Sequence, residues 1–135
     1  MPRYIMTVRS NPIAGREAEF NEWYDRHHVP DLLKTPTLIA AQRYRLAPVE
    51  LPEYPGYVKP RHSYMVVYEI ETESLEKTRD LLWSPDNIAR IRPSDAFDSS
   101  SVDCQFFAPI GAPVIQNDSR SQAFFGRKWR VRAPP

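Results

Sequence analysis

The sequence predicts an α+β fold: a four-stranded antiparallel sheet with two helices on one face, in the order strand, helix, strand, strand, helix, strand. Three observations predict it. Residues 20–33 wind into a strongly amphipathic helix. Four other segments alternate side chains at the two-residue period of a strand. Turn-forming residues separate these segments, which gives the split βαβ arrangement. A chain of 135 residues is long enough to bury one real core.

Taking the elements in order, residues 4–9 set Tyr4, Met6 and Val8 against Ile5, Thr7 and Arg9 as a first strand. Asn11-Pro12-Ile13-Ala14-Gly15 is a turn, and the first helix starts near Arg16. At about 100° per residue, one helix face carries Phe20, Trp23, Tyr24 and His27. Glu19, Glu22, Asp25 and Arg26 fall opposite, with Asn21 and His28 on the border. Pro30 disfavours helical geometry at Val29 and has no N–H to donate, so a break is expected just after His28. Residues 31–34 then add one further turn.

Residues 37–46 form a second strand, with Leu38, Ala40, Gln42 and Tyr44 on one side and Ile39, Ala41, Arg43 and Arg45 on the other. Residues 47–60, punctuated by Pro48, Pro52, Pro55 and Pro60, read as an extended, semi-rigid loop. A third strand covers 62–70, with Tyr64, Val66, Tyr68 and Ile70 on one side. Thr72 or Ser74 caps a second helix running to about Trp83 and carrying Leu75, Leu81 and Leu82. Ser84-Pro85-Asp86-Asn87 interrupts it, and 88–92 adds a short turn. Residues 101–110 close the sheet with Val102, Cys104, Phe106 and Ala108 inward.

The folded domain is therefore expected over 1–110, with 111–135 as a C-terminal arm. After Asp118 the arm is basic (Arg120, Arg127, Lys128, Arg130, Arg132) and aromatic (Phe124, Phe125, Trp129). A polyanion-binding arm is one reading. An arm anchored by its aromatic residues is the other, favoured because such residues are rare in disordered tails. With both helices on one sheet face, Ile39, Ala41, Met65, Val67 and Phe107 give the other face apolar character. A second copy of the chain is the expected cover, hence a homodimer.

A formal net charge of +1 gives the domain no reason to bind nucleic acid or a membrane surface. No apolar run reaches membrane-spanning length, and the first residues lack the plan of a signal peptide. The single cysteine, Cys104, excludes an internal disulfide and fits a reducing compartment, so a cytoplasmic location is expected.

Asn11-Pro12 followed by Gly15, then Glu19-Phe-Asn-Glu-Trp-Tyr-Asp-Arg-His-His-Val-Pro-Asp-Leu-Leu33, Pro36 and Ala41-Gln-Arg-Tyr44, resembles the EthD-like members of the dimeric α+β barrel superfamily. The motifs cover the first third of the chain, and the strand order extends the likeness to about Ile110. The resemblance implies a ferredoxin-like protomer whose sheet pairs with a second copy into a barrel. It also implies a cleft between helices and sheet for small aromatic or polyketide-like molecules. Relatives include cofactor-free cyclases, dehydratases, decarboxylases, isomerases and monooxygenases, and proteins without known activity. The recurrent His-x-Pro falls on His28-Val29-Pro30, which makes His28 the catalytic candidate. Relatives often carry Pro-Gly where this chain has Pro36-Thr37.

His28 is a candidate general acid/base because an unperturbed imidazole titrates near neutrality. Its structural alternative is a ring that caps the helix end. Asp25 and Tyr24, three and four residues before it, are placed to orient it and to donate to a substrate oxygen. His27, mid-face among aromatics, reads as a satisfied core histidine. His62, Tyr64, Tyr44, Trp23 and Phe106 are the expected substrate-binding residues; the strand tyrosines, Tyr68 included, have packing as their alternative role. Arg43 and Arg45 are candidates for a substrate carboxylate or for a solvated strand edge. His27 and His28 diverge too far on a helix to share a metal with Asp25 and Asp31, and no phosphate-binding glycine loop appears. Cys104 reads as a small core residue.

The expected activity is acid/base chemistry without a cofactor or metal. It would be dehydration, isomerisation, cyclisation or decarboxylation of a small aromatic or unsaturated carbonyl compound. A monooxygenase on the same fold and a non-catalytic small-molecule carrier are the alternatives.

Overall fold

A computed structural model describes residues 1–117. Its strands are β1 (Arg3–Pro12), β2 (Leu38–Arg45), β3 (Tyr64–Glu71) and β4 (Phe97–Phe107). They form one sheet in the order β2-β3-β1-β4, with every neighbouring pair antiparallel. The helices are α1 (Glu17–Trp23), α2 (Val29–Leu32), α3 (Leu75–Leu82) and α4 (Pro85–Arg90). Phe20, Trp23, Tyr24 and Leu32 from the first helical stretch, with Leu82 from the second, share a core with Met6, Leu38, Tyr64, Val66, Tyr68 and Ile70. Both helical stretches thus cover one sheet face, and the ferredoxin-like α+β protomer is the observed fold. Residues 111–117 form no helix or strand, and the rest of the arm lies outside the described residues.

The first helix does not break at His28. Tyr24–His28 is a π-turn, in which the Val29 N–H donates to the Tyr24 carbonyl five residues back. His28 and Val29 keep right-handed helical dihedrals, with φ -68°, ψ -51° and φ -61°, ψ -49°. A proline normally clashes with the carbonyl four residues before it. The wider turn relieves that clash and places Pro30's missing donor where the bonding register is already shifted. The helix therefore continues through Pro30 to Leu33.

Two strands depart from the alternation read in the sequence. In β2 the pairing with β3 shifts between Leu38 and Ala40, leaving Ile39 as an extra residue. Beyond this bulge, Ala41, Arg43 and Arg45 lie opposite Tyr68, Val66 and Tyr64, on the helix-covered face with Leu38. A one-residue insertion reverses every later side chain, so Ala41 belongs to the core side and Ala40 and Tyr44 to the open side. β4 begins at Phe97, earlier than expected, because Phe97 and Asp98 pair with Pro12 and Asn11 of β1, beyond a register shift between Arg9 and Asn11. Val102 is exposed and Ala108 lies past the strand end.

The second helix is capped by Ser74, whose side chain accepts from the Lys77 N–H. Thr78 and Leu82 are its buried residues, while Leu81 is exposed. Ser84 caps α4 in the same way, with Pro85 at the first helical position.

An ion pair between a buried carboxylate and a half-exposed guanidinium fastens the continued helix to the segment after α4. The Asp31 side chain is 2% exposed and accepts from Arg92 Nε at 3.1 Å and Nη2 at 2.9 Å, with Lys34 Nζ at 3.5 Å. The Arg92 carbonyl accepts from Trp23 Nε1 at 2.9 Å. The Arg92 hydrogen bonds hold the Asp31 carboxyl down to about 2. A depressed carboxylate stabilises the fold fully above its unfolded value of 3.8 and loses that contribution as pH falls through about 2. Asp31→Asn is expected to cost about 2 kcal/mol near neutral pH, less than a fully buried pair because Arg92 faces solvent. Urea titrations at several pH values should show the wild-type loss between about pH 4 and pH 2 vanishing in the variant.

Candidate functional site

The π-turn decides which histidine joins the aromatic core. Closing a helix turn over five residues brings His28 round onto Trp23, whose ring it stacks on at 4.5 Å and 25°. The Tyr24 ring meets His28 edge-on at 5.1 Å. Phe97, from the unexpected start of β4, packs against Trp23, Tyr24 and Phe20. His27, expected on this face, makes no ring contact among the described residues; it is half-buried, and its Nδ1 has no partner there. It is not a satisfied core histidine.

Burial sets the electrostatics of the cluster. Desolvation pushes the His28 imidazole down to about 4, against a smaller opposing pull from the Asp31 carboxylate. The ring is therefore neutral near pH 7, and its Nδ1 is buried without a hydrogen-bond partner among the described residues. Desolvation raises the Tyr24 phenol, whose hydroxyl lies 3.5 Å from Ser10 Oγ. It also raises Tyr68, fully buried on β3, with Tyr24 and Cys104 close enough to oppose its ionisation further. The Tyr68 hydroxyl likewise has no partner among the described residues. Burial raises Cys104 as well, as its half-buried place on the core face requires.

Asp25 does not orient His28. It accepts nothing from the ring and instead accepts from Arg43 Nη1 at 2.9 Å on the solvent side. The widened turn carries His28 inward while Asp25 stays on the outer face. Arg43 reaches this position because the β2 bulge turns it toward the helices. Its guanidinium lies over Tyr24 at 4.6 Å, Tyr64 at 5.6 Å and Phe20 at 5.7 Å from the ring centroids. Nη2 also donates to Asn21 Oδ1 at 2.8 Å. The side chain is 18% exposed, so the cation is covered by π faces, one carboxylate and an amide. The Tyr64 hydroxyl donates to Glu17 and accepts from Asn21 Nδ2.

Three of the expected binding residues share a hollow of about 420 Å3. His62, Tyr44 and Tyr64 line it together with Arg9, Arg45 and Arg61. His62 Nε2 donates to the Ser101 carbonyl at 2.7 Å, which fixes the ring against β4. Trp23 and Phe106 lie elsewhere: Trp23 under His28, and Phe106 on the core face of β4 opposite Met6. Two further hollows are lined by described residues, one apolar and about 170 Å3 between β1, β3 and the end of β4, the other about 390 Å3 beside α4. His28 lines none of these three. No group of three metal-ligating side chains forms among the described residues, and no helix there is long and apolar enough to cross a membrane.

The place of Arg43 over the aromatic rings and the Asp31–Arg92 pair were not foreseen from the sequence. The alternation in β2 carried a signal for Arg43, but the bulge inverts it. Asp31 two residues before the helix end gave no sign of its partner 61 positions away.

A scan against protein-family models finds no match, and neither does a search of the curated proteins. Among solved structures, the chain is similar to an ethyl tert-butyl ether D (EthD) family protein from Bacillus halodurans. The match covers 82% of this chain and all of the other, at 15% identity and a TM-score of 0.53. The likeness shows that this chain has the EthD-like fold.

The depressed His28 sets a second pH window. A histidine buried as the neutral ring stabilises the fold fully above its unfolded value of 6.5, and that contribution is lost as pH falls through about 4. The loss over this window should be on the order of 3 kcal/mol. His28→Phe keeps a ring on Trp23 without a titrating group. Its unfolding free energy should be nearly flat from pH 6.5 to 4, whereas the wild type declines.

Proposed function

We propose that this protein is a cofactor-independent acid/base enzyme acting on a small aromatic or unsaturated carbonyl compound. The reaction is of the dehydratase, isomerase, cyclase or decarboxylase kind. The observation that carries this reading is the buried, neutral imidazole of His28, whose Nδ1 has no hydrogen-bond partner among the described residues, beside phenols that keep their protons. A neutral ring accepts a proton throughout the neutral range, and its low pKa makes the imidazolium quick to return it. Tyr24, whose ring meets His28 edge-on, supplies an O–H donor for the carbonyl oxygen as enolate charge develops. His28 takes the proton from the carbon next to the carbonyl. Returning it to another carbon gives isomerisation; passing it to a departing hydroxide gives dehydration.

The carrier reading has two observations in its favour. His28 lines none of the three hollows described above. The carboxylate expected to orient His28 is committed to Arg43, so the ring is held by packing alone. Both readings take a small molecule on the EthD-like fold.

The assembly we propose is a homodimer through the open sheet face. Ile5, Met65 and Val67 are half-buried there, and Tyr44 and Phe107 are 39% and 47% exposed. The Arg3–Glu71 and Arg9–Asp103 pairs flank this surface. A cytoplasmic location remains part of the proposal.

Light scattering at micromolar concentration should give close to twice the 15.7 kDa chain mass. A soluble species of single-chain mass would contradict the dimer.

For the chemistry, His28→Ala is expected to lower kcat about 100-fold or more on a carbonyl substrate found by screening. The wild-type rate should plateau above about pH 4 and fall below it, because only the neutral ring acts as base. Normal turnover in a folded His28→Ala variant would refute the role of His28. Saturable binding without turnover in the wild type would favour the carrier.

A further inference from the structure

The hollow that holds His62 is cationic in a chain whose formal net charge is only +1. Arg9, Arg45 and Arg61 all line it. Among the described residues, Arg45 and Arg61 have no carboxylate within ion-pair distance. Arg9 has one, Asp103, at 3.7 Å with both ends well exposed. Apolar walls complete the hollow: the Tyr44 side chain, Leu46, Pro60 and Met65. An anion in the hollow meets, at Arg45 and Arg61, guanidinium groups that no described carboxylate already neutralises.

The segment that carries Arg61 and His62 is fixed in advance. The Asn11 carboxamide brackets it, donating from Nδ2 to the Arg61 carbonyl at 2.8 Å and accepting the Ser63 N–H at Oδ1 at 2.7 Å. Between these two contacts, His62 Nε2 donates to the Ser101 carbonyl at 2.7 Å. The Asn11 N–H donates to Ser101 Oγ at 2.8 Å, so clamp and clamped strand form one network. Asn11 sits where the β1–β4 register shifts, and such irregularities re-aim side chains next to functional sites. The network accounts for the backbone path. Packing does not require three arginines at the place it rigidifies.

We propose that this hollow binds the carboxylate of a small aromatic acid, with Arg45 and Arg61 holding the carboxylate oxygens and the arene lying against Leu46 and Pro60, beyond the ends of β2 and β3. The planar guanidinium fork matches a carboxylate with two parallel hydrogen bonds. The apolar walls favour an organic anion over a strongly hydrated inorganic one, and the volume is within the range of small-ligand sites. The site is distinct from His28 and its occupancy does not require turnover there.

Isothermal titration of the full chain at low ionic strength tests it, with sodium benzoate, benzamide and inorganic phosphate as probes. Benzoate should bind saturably, and benzamide and phosphate about tenfold more weakly or worse. An R45A/R61A double variant should lose about tenfold or more of the benzoate affinity, at unchanged melting temperature because both side chains are exposed. His28→Ala should bind benzoate as the wild type does, whatever its turnover. Absence of saturable benzoate binding, equal affinity for phosphate, full affinity in the double variant, or lost affinity in His28→Ala would each overturn the assignment.

Discussion

One backbone constraint sets the candidate site of this protein: the five-residue turn that lets the first helix run through Pro30. An α-turn there would meet the proline ring with a carbonyl and stop, as proline ordinarily makes a helix do. By closing over Tyr24–His28 instead, the helix gains a fractional rotation at the residues that carry chemistry. The rotation takes His28 from the border of the helix onto the aromatic core and leaves Asp25 outside with Arg43. It also extends the helix far enough to deliver Asp31 into the interior, where Arg92 meets it. The neutral imidazole, the buried carboxylate and the exterior ion pair are three consequences of one wide turn.

The second organising feature is the ring seam under Arg43. Phe20 contacts Tyr24 at 5.0 Å and Tyr64 at 5.1 Å, and the guanidinium lies across all three rings. Each such contact is worth about 0.5–2 kcal/mol depending on desolvation, so the seam is a substantial fraction of a marginal total stability. A cation this covered would be costly if left alone. Asp25, Asn21 and the ring faces offset that cost together, which ties β2 to the first helix without a purely apolar contact. Lysine would lack the planar fork that makes these contacts at once.

The fold was legible in the sequence because its signals are local. Alternation gave the buried stripe Tyr64, Val66, Tyr68 and Ile70, and Ser74 is the cap of the two candidates, Thr72 and Ser74. What escaped was irregular. The bulge at Ile39 inserts one residue and so reverses the rest of β2, moving Arg43 to the core side and Tyr44 to the open side. The start of β4 escaped because Asp98, Ser99, Ser100 and Ser101 have loop chemistry, though Phe97 before them packs on Phe20. The resemblance pointed to His28, but residue spacing at 100° per residue assigned the aromatic face to His27. The misses at Ile39 and at residues 24–28 lie at a bulge and a π-turn, where one added residue breaks the period on which sequence reading depends, and both lie beside a candidate functional residue.

The same geometry keeps the two candidate loci separate. Tyr64 belongs both to the cationic hollow and to the seam, and the rings lead on from it: Tyr64 to Phe20 at 5.1 Å, Phe20 to Tyr24 at 5.0 Å, Tyr24 to His28 at 5.1 Å. These are packed side chains, not an open channel, and Phe20 and Tyr24 are almost fully buried. A single-ring acid in the hollow therefore does not touch His28 in this conformation. Arg43 spans the interval, since it covers Tyr64 at one end and Tyr24 at the other while its own charge is already matched by Asp25. An anion in the hollow finds its counter-charge in Arg45 and Arg61, and Arg43 stays with the seam. The proposed recognition of charge and the proposed movement of a proton therefore rest on different groups of this small domain, and each stands or falls on its own residues.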